Sequence, residues 1–397
     1  MSWWTDPVHT IAAWLTTLLT GWGLPAWLAS LIIQFLGVVV LVSLLMLLDI
    51  FLVWVERKVV ARFQDRLGPN RVGPWGLIQP FADIVKLLIK EDITPAGADR
   101  VIYNLAPIIS LMSVLLLWAI VPLAPQILGV DLNVGALYII AAGALGTLAI
   151  IMAAWSSNNK YALIGAFRQV AVLVSFEVPM IAVMLIPTVL AGSMGMNAIV
   201  QAQNVPFVFL APLAALIFII AAIAELGRSP FDMNEAESEI VAGFHIEYTG
   251  MKFGLFYAGE LLHAFTFGGF WAILFFGGYR FFGLETLGPL VSAAILLAKA
   301  MVGYWFIMWV RYTVMRIRID HMLAFNWKFL TPLAFVLLMV TALVNAWLRN
   351  SNVLIYVLAM LAANAVIGLG VLQILRNVSR RDREKVEGPS QPVAAGQ

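Results

Sequence analysis

Nine apolar runs of about twenty residues or more divide this chain, and a water-soluble fold has no place to bury so many. They cover roughly 30–53, 101–124, 134–156, 162–190, 206–226, 253–278, 289–312, 328–348 and 352–376. Each can cross a hydrocarbon core of about 30 Å at a helical rise of about 1.5 Å per residue. Backbone groups in lipid must bond within their own segment, so the runs predict helices rather than open sheet. With 62% hydrophobic and only 12% charged residues, the expectation is an all-α polytopic membrane protein. It has about nine transmembrane helices plus cytoplasmic amphipathic helices.

Residues 1–29 read as an N-terminal interfacial stretch. Positions 4–23 carry no Lys or Arg, and Gly21, Gly23 and Pro25 interrupt them, so the positive start of a cleaved signal is missing. Residues 30–377 form one transmembrane helical domain. Residues 378–397 are polar and are expected to be a disordered tail whose basic part meets lipid headgroups.

Basic residues set the orientation. The connections 54–100, 157–161, 227–252 and 313–327 and the tail hold most of the 24 Lys and Arg. The opposite connections 125–133, 192–205, 279–288 and 349–351 hold only Arg280 and Arg349. The positive-inside bias therefore places the N-terminus outside and the C-terminus in the cytoplasm. The chain has no cysteine, which removes thiolate-held clusters, disulfides and thiol catalysis. Of the four histidines only His263 lies within a span, so a bis-histidine haem is not expected. There is no Gly-rich phosphate loop, and a net charge of +2 gives no footprint for nucleic acid.

Two cytoplasmic segments hold the remaining information. In 54–100, Lys58, Arg62 and Arg66 share one helical face, with Val59, Val60, Phe63 and Leu67 on another. This predicts an amphipathic helix along the interface. The run Leu67-Gly-Pro-Asn-Arg-Val-Gly-Pro-Trp-Gly76 breaks it, and Pro80 starts a second helix with Phe81, Ile84, Val85 and Leu88 apolar. Asp83 can pair with Lys86 on a wetted surface. Glu56 and Arg57 read equally well as interfacial anchors, although Asp49 lies on the same face seven residues earlier.

The second segment packs Glu225, Asp232, Glu235, Glu237 and Glu239 into fifteen residues between two apolar runs. Asp232 and Glu235 fit a capping box, which leaves Glu225, Glu237 and Glu239 without that explanation. Glu177 and Glu260 lie inside spans, with no Arg or Lys one turn away. Ionisable residues at such depth are functional candidates. A carboxylate without a counter-charge in low dielectric can take up and release a proton near neutrality. His263 is one possible partner for Glu260, and Lys299 one for Glu177. Pro179 and Pro187 should open the hydrogen-bond ladder of their span to water or side chains. Together these residues describe a path for protons or cations.

The motifs Glu-Arg-Lys-Val-Val-Ala-Arg (56–62), Arg-Leu-Gly-Pro-Asn-Arg-Val-Gly-Pro-Trp-Gly (66–76), Ala-Asp-Ile-Val-Lys-Leu (82–87) and Lys-Glu-Asp-Ile-Thr-Pro (90–95) form one group. Ala-Glu-Leu-Gly-Arg-Ser-Pro-Phe-Asp (224–232) and Glu-Ala-Glu-Ser-Glu (235–239) form another. Over roughly 30–350 the chain resembles the H-type membrane subunits of bacterial NADH:quinone oxidoreductase, the counterparts of subunit 1 of mitochondrial respiratory complex I. The resemblance implies a multi-pass subunit of the bacterial cytoplasmic membrane where the hydrophilic and membrane arms meet. It also implies a translocase subunit without a redox centre of its own. Quinone is the substrate, and FMN and iron–sulfur clusters sit in partner subunits.

By the same resemblance, Glu56, Arg57, Phe63, Asp83, Arg228 and Asp232 belong to the quinone chamber. Glu225, Glu235, Glu237 and Glu239 form an acidic funnel, which Glu260 and Glu177 link to antiporter-like subunits. Some relatives carry a carboxylate in the third span. Here 134–156 has none, so that relay step must use water or another residue. A membrane subunit of an energy-converting hydrogenase would read similarly. A stand-alone secondary transporter fits less well, because no two-fold repeat is visible and 54–100 suits docking.

Overall fold

The computed structural model describes residues 7–232, 240–349 and 351–387, and every regular element among them is helical. Among the described residues, eight helices are long and apolar enough to cross a membrane. The first helix, α1 (Pro7–Gly21), packs against α2 (Ala26–Phe63). The amphipathic helix expected along the interface after the first span is not a separate element. Helix α2 runs unbroken for 38 residues, so the amphipathic 54–63 stretch continues the first span instead of turning along the interface. At about 1.5 Å per residue it reaches about 57 Å, well past the hydrocarbon core. Leu45, Asp49, Leu52 and Glu56 are spaced 4, 3 and 4 apart and are all buried, so two carboxylates ride the inward stripe of a helix that is otherwise largely exposed.

Helix α3 (Gln79–Ile89) starts where Pro80 predicts. Then come α4 (Arg100–Leu117), capped by Asp99 accepting from Val101 N, and α5 (Gly135–Ser156). Helix α6 (Lys160–Ala191) is capped by Asn159 at one end and by left-handed Gly192 at the other. The short helices α7 (Met196–Ala202) and α8 (Phe207–Leu210) lead into α9 (Pro212–Glu225). The predicted fifth span, 206–226, is thus composite. Ala211 is non-helical and Pro212 restarts the helix, leaving α9 with 14 residues. That is about 21 Å of helix, short of a full crossing by itself.

Three further helices follow: α10 (Gly250–Phe275), α11 (Pro289–Thr313) and α12 (Ile319–Leu348), with a π-helical stretch at Asn326–Leu330 inside α12. The last, α13, runs from Val353 to Glu387, so the polar residues 378–387 extend the helix where a disordered tail was expected.

Helices α6, α9 and α10 hold the centre, with α4, α5, α11 and α12 packed around them. Pro179 has no N–H to give the Ser175 carbonyl one turn back. That carbonyl instead accepts from Asn326 Nδ2 at 2.6 Å, and Asn326 is completely buried in the π-helical stretch. The proline admits a neighbouring side chain, and so locks α6 to α12.

Helices α10 and α11 cross backbone to backbone. A Cβ on Gly303 would lie 2.7 Å from the Gly268 Cα, and one on Gly268 2.6 Å from the Ala300 carbonyl oxygen. Gly303→Ala should therefore push the helices apart and cost about 1–3 kcal/mol, as overpacking does in well-filled cores. Thermal denaturation of the solubilised protein measures this, and an unchanged midpoint would refute the crossing.

Candidate functional site

Two cavities share one wall. The larger, of about 440 Å³, lies between α2, α3, α4 and α10 and is bounded mostly by apolar side chains such as Ile50, Val53 and Leu111. Its polar lining comes from Asp49, Arg57, Asp83, Lys86 and Tyr257. Arg57 Nη1 donates to Asp83 Oδ2 at 2.5 Å, and Lys86 stands 3.6 Å from the other Asp83 oxygen. The expected Asp83–Lys86 contact therefore exists, but Arg57 is the nearer cation. Asp49, only 6% exposed, keeps Oδ1 without a hydrogen-bond partner.

The smaller cavity, of about 60 Å³, lies between α4, α5, α6, α9 and α10. Glu225, Glu260, His263, Gln169, Thr147 and Ser113 line it. Helices α10 and α4 form the partition, α4 giving Leu111 to the larger space and Ser110 and Ser113 to the smaller. Tyr257 and Ala258 face the larger space, and Gly259, Glu260 and His263 the smaller.

The other expected residues have distinct surroundings. Glu56 is buried, and its Oε1 accepts from Arg311 Nη1 and from the Tyr312 hydroxyl. It therefore points into α11 and not into the larger cavity. Phe63 lies 6.1 Å from the Tyr312 ring, ring centre to ring centre. Arg228 meets Glu260 at 3.0 Å, and Asp232 accepts from Arg316 at 2.8 Å. Glu260 thus has a counter-charge from a different element, and sequence spacing gave no sign of it. Lys299 does not pair with Glu177. It donates to the carbonyls of Phe276, Gly278 and Arg280 at 2.7, 2.9 and 2.6 Å. Glu225, 7% exposed at the end of α9, keeps Oε2 without a partner and lies within electrostatic range of half-buried Glu177. His263 stacks on Phe267 at 4.7 Å, and its Nε2 also has no partner. Glu235, Glu237 and Glu239, with the capping box they were expected to complete, lie outside the described residues.

After that segment the chain is firmly held. Glu247 accepts from Asn159 Nδ2 at 2.7 Å, its carbonyl accepts from the Tyr103 hydroxyl, and Tyr103 stacks on Tyr248 at 4.2 Å. Sequence reasoning missed Arg311, Tyr257, Gln169 and Thr147. Arg311 had a signal, a cation inside the 289–312 span. The other three are neutral residues in apolar runs and had none.

A family profile described as NADH dehydrogenase matches residues 35–342. The H-type NADH-quinone oxidoreductase subunit of Dehalococcoides mccartyi (strain CBDB1) is 47% identical over 305 residues, covering 77% of this chain and 84% of that protein. A subunit of the same name from Syntrophobacter fumaroxidans, the second of its type there, is 41% identical over 334 residues, 81% of this chain and 98% of the relative. The corresponding protein of Geobacillus kaustophilus is 44% identical over 294 residues, 74% and 88% respectively. With a match across most of its spans and relatives covered over 84–98% of their length, this chain belongs to the NADH dehydrogenase family.

Proposed function

We propose that this chain is the membrane subunit of an NADH-quinone oxidoreductase that takes quinone into the larger cavity and passes the consequence of its reduction to the carboxylates behind α10. The observation that carries the reading is the thin helical partition, one layer of α4 and α10, between a ligand-sized apolar cavity and a buried acidic one. A quinone needs apolar walls for its isoprenoid tail and a few polar groups for its ring. Arg57, Asp83, Asp49 and Tyr257 supply the polar groups. Electrons arrive from iron–sulfur subunits of the hydrophilic arm, and each quinone takes two electrons and two protons to become quinol. The chain lies in the bacterial cytoplasmic membrane with its N-terminus outside, and antiporter-like subunits receive the signal.

The coupling is electrostatic. Charge appearing on the quinone, or leaving the Arg57–Asp83 pair as protons move, changes the potential at Glu260 and Glu225 across one helix diameter. Low dielectric keeps that change from being screened. Glu225, with one oxygen unpartnered, is the carboxylate freest to respond. Arg228 holds Glu260 and would have to release it for Glu260 to carry a proton. The expected funnel at Glu235, Glu237 and Glu239 remains part of this proposal.

Filling the larger cavity tests the reading. In the assembled complex Ala258→Trp should lower quinone reduction by about tenfold or more, because a ring that no longer fits loses its near-attack position. NADH oxidation by a water-soluble acceptor should be unchanged. Normal quinone reduction in that variant would mean that quinone binds elsewhere.

A further inference from the structure

Helix α13 lies beyond residue 342, where the family profile ends, and it meets the bundle unevenly. Its first half is tied down. The Tyr356 hydroxyl donates to Asn345 Oδ1 at 2.9 Å, and Asn364 Nδ2 donates to the Leu210 carbonyl at 2.9 Å. Met360, between those ties, is completely buried. Past Asn364 the helix leaves a gap. A groove of about 350 Å³ opens there between α12 and α13, within the size range of ligand clefts. Pro332 and Val336 wall it on one side, and Ile367, Val371 and Ile374 on the other. A Cβ on Gly370 would meet nothing within 4 Å, so the α13 wall is cut back.

The groove is charged at one end only. Lys328 is its sole ionisable wall residue, and it sits in the π-helical stretch Asn326–Leu330. That wider turn rotates Lys328 away from where a regular helix would put it. Consecutive spans run in opposite directions, so the start of α12 and the end of α13 share one face of the bundle. Exposed Arg376 and Arg380 follow Ile374 on α13. Among the described residues, Lys328, Arg376 and Arg380 have no ion-pair partner. A water-soluble anion would use only this basic mouth, and an apolar helix only the groove. A molecule with an anionic head and an apolar tail uses both.

We propose that this groove is a binding site for one anionic phospholipid, its acyl chain lying between α12 and α13 and its phosphate on Lys328 and Arg376. Lysine supplies a compact charge, and arginine a planar fork that can take two phosphate oxygens. Bound there, the lipid fills the gap that α13 leaves and fastens the free half of that helix to α12. The groove shares no wall residue with either cavity described above, so the site does not depend on where quinone binds.

The test uses the assembled complex in phosphatidylcholine vesicles that contain a trace of phosphatidylglycerol with a photoreactive diazirine on its acyl chain. Phosphatidylcholine carrying the same diazirine is the comparison probe. After illumination, mass spectrometry of peptides measures labelling at 332–336 and 367–374. The phosphatidylglycerol probe should label both segments about tenfold more strongly, the weight of one charge-assisted contact to phosphate. Lys328→Gln combined with Arg376→Gln should bring it down to the phosphatidylcholine level, whereas Lys328→Arg should keep the preference. Gly370→Trp fills the groove and should remove labelling by both probes. Equal labelling by the two probes in the parent would mean ordinary bilayer lipid only and overturns the site. So does parental labelling in the double charge variant. Absence of label from both segments would mean that a partner subunit covers the groove, which overturns it as well. Should Gly370→Trp fail to assemble, the two exposed charge positions decide alone.

Discussion

Replacing Arg311 with leucine should destabilise the subunit by about 3–5 kcal/mol, the usual cost of stripping one partner from a buried ion pair. The reason lies on α2. Glu56 is 4% exposed, and Arg311 and Tyr312 both donate to its Oε1, while Oε2 has no partner at all. Without Arg311 the carboxylate keeps a single hydroxyl donor in a region where charge is poorly solvated. The double variant Glu56→Gln with Arg311→Leu removes both charges and should regain most of the loss. Glu56→Gln alone should be milder, because the Arg311 side chain is 22% exposed and can turn its head toward solvent. Thermal denaturation in detergent and the yield of assembled complex measure the series. Parental stability in Arg311→Leu would show that Glu56 has no need of a cation. The series also separates two readings of Glu56. If it matters by tying α2 to α11, stability falls first; if it matters by touching quinone, quinone reduction falls in protein of normal stability.

The ion pair also marks where sequence reading stops. The apolar spans as helices and the start of α3 at Pro80 depend on neighbours a few residues apart, and they were legible. So was the extent of the family match, because its motifs are contiguous. Glu56 and Arg311 are 255 positions apart, and Ser175 and Asn326 are 151 apart. Which of several spans lies beside which is decided by packing of near-identical apolar faces, and no local pattern encodes it. Arg228 opposite Glu260 belongs to the same class. The run-on of α2 past residue 54 was misread for a different reason. A charged stripe on a helix has the same sequence pattern whether the helix turns along a membrane or projects straight out of it. The break at Ala211 was hidden because Pro212 also looks like an ordinary helix start. Asp49 and Glu56 on one face were visible in the spacing, but the partner of each was not.

Glu225→Gln should cut quinone-driven proton uptake on the order of a hundredfold, the lower end of what a positioned proton-transferring side chain contributes. Glutamine matches glutamate in shape and can still hydrogen-bond, so α9 should pack unchanged and the complex should assemble. What disappears is a site that can change charge. Glu225 is the cleanest place to ask the question. Glu260 is tied to Arg228 at 3.0 Å, so its replacement would also free a buried cation. Glu177 is half-buried and reaches Glu225 only through the field. Glu285 serves as the control, because it sits on the loop before α11 beside Arg280 at 3.7 Å and accepts from Phe281 N. Glu285→Gln should leave uptake as it was. Quinone reduction in Glu225→Gln discriminates further. If the proton step gates the redox step, reduction slows in parallel with uptake. If reduction continues while uptake is lost, the two cavities are separable, and the partition transmits charge without controlling turnover. Uptake at the parental rate with glutamine at 225 would show that the acidic cavity is a packing defect filled with water and no part of the proton path.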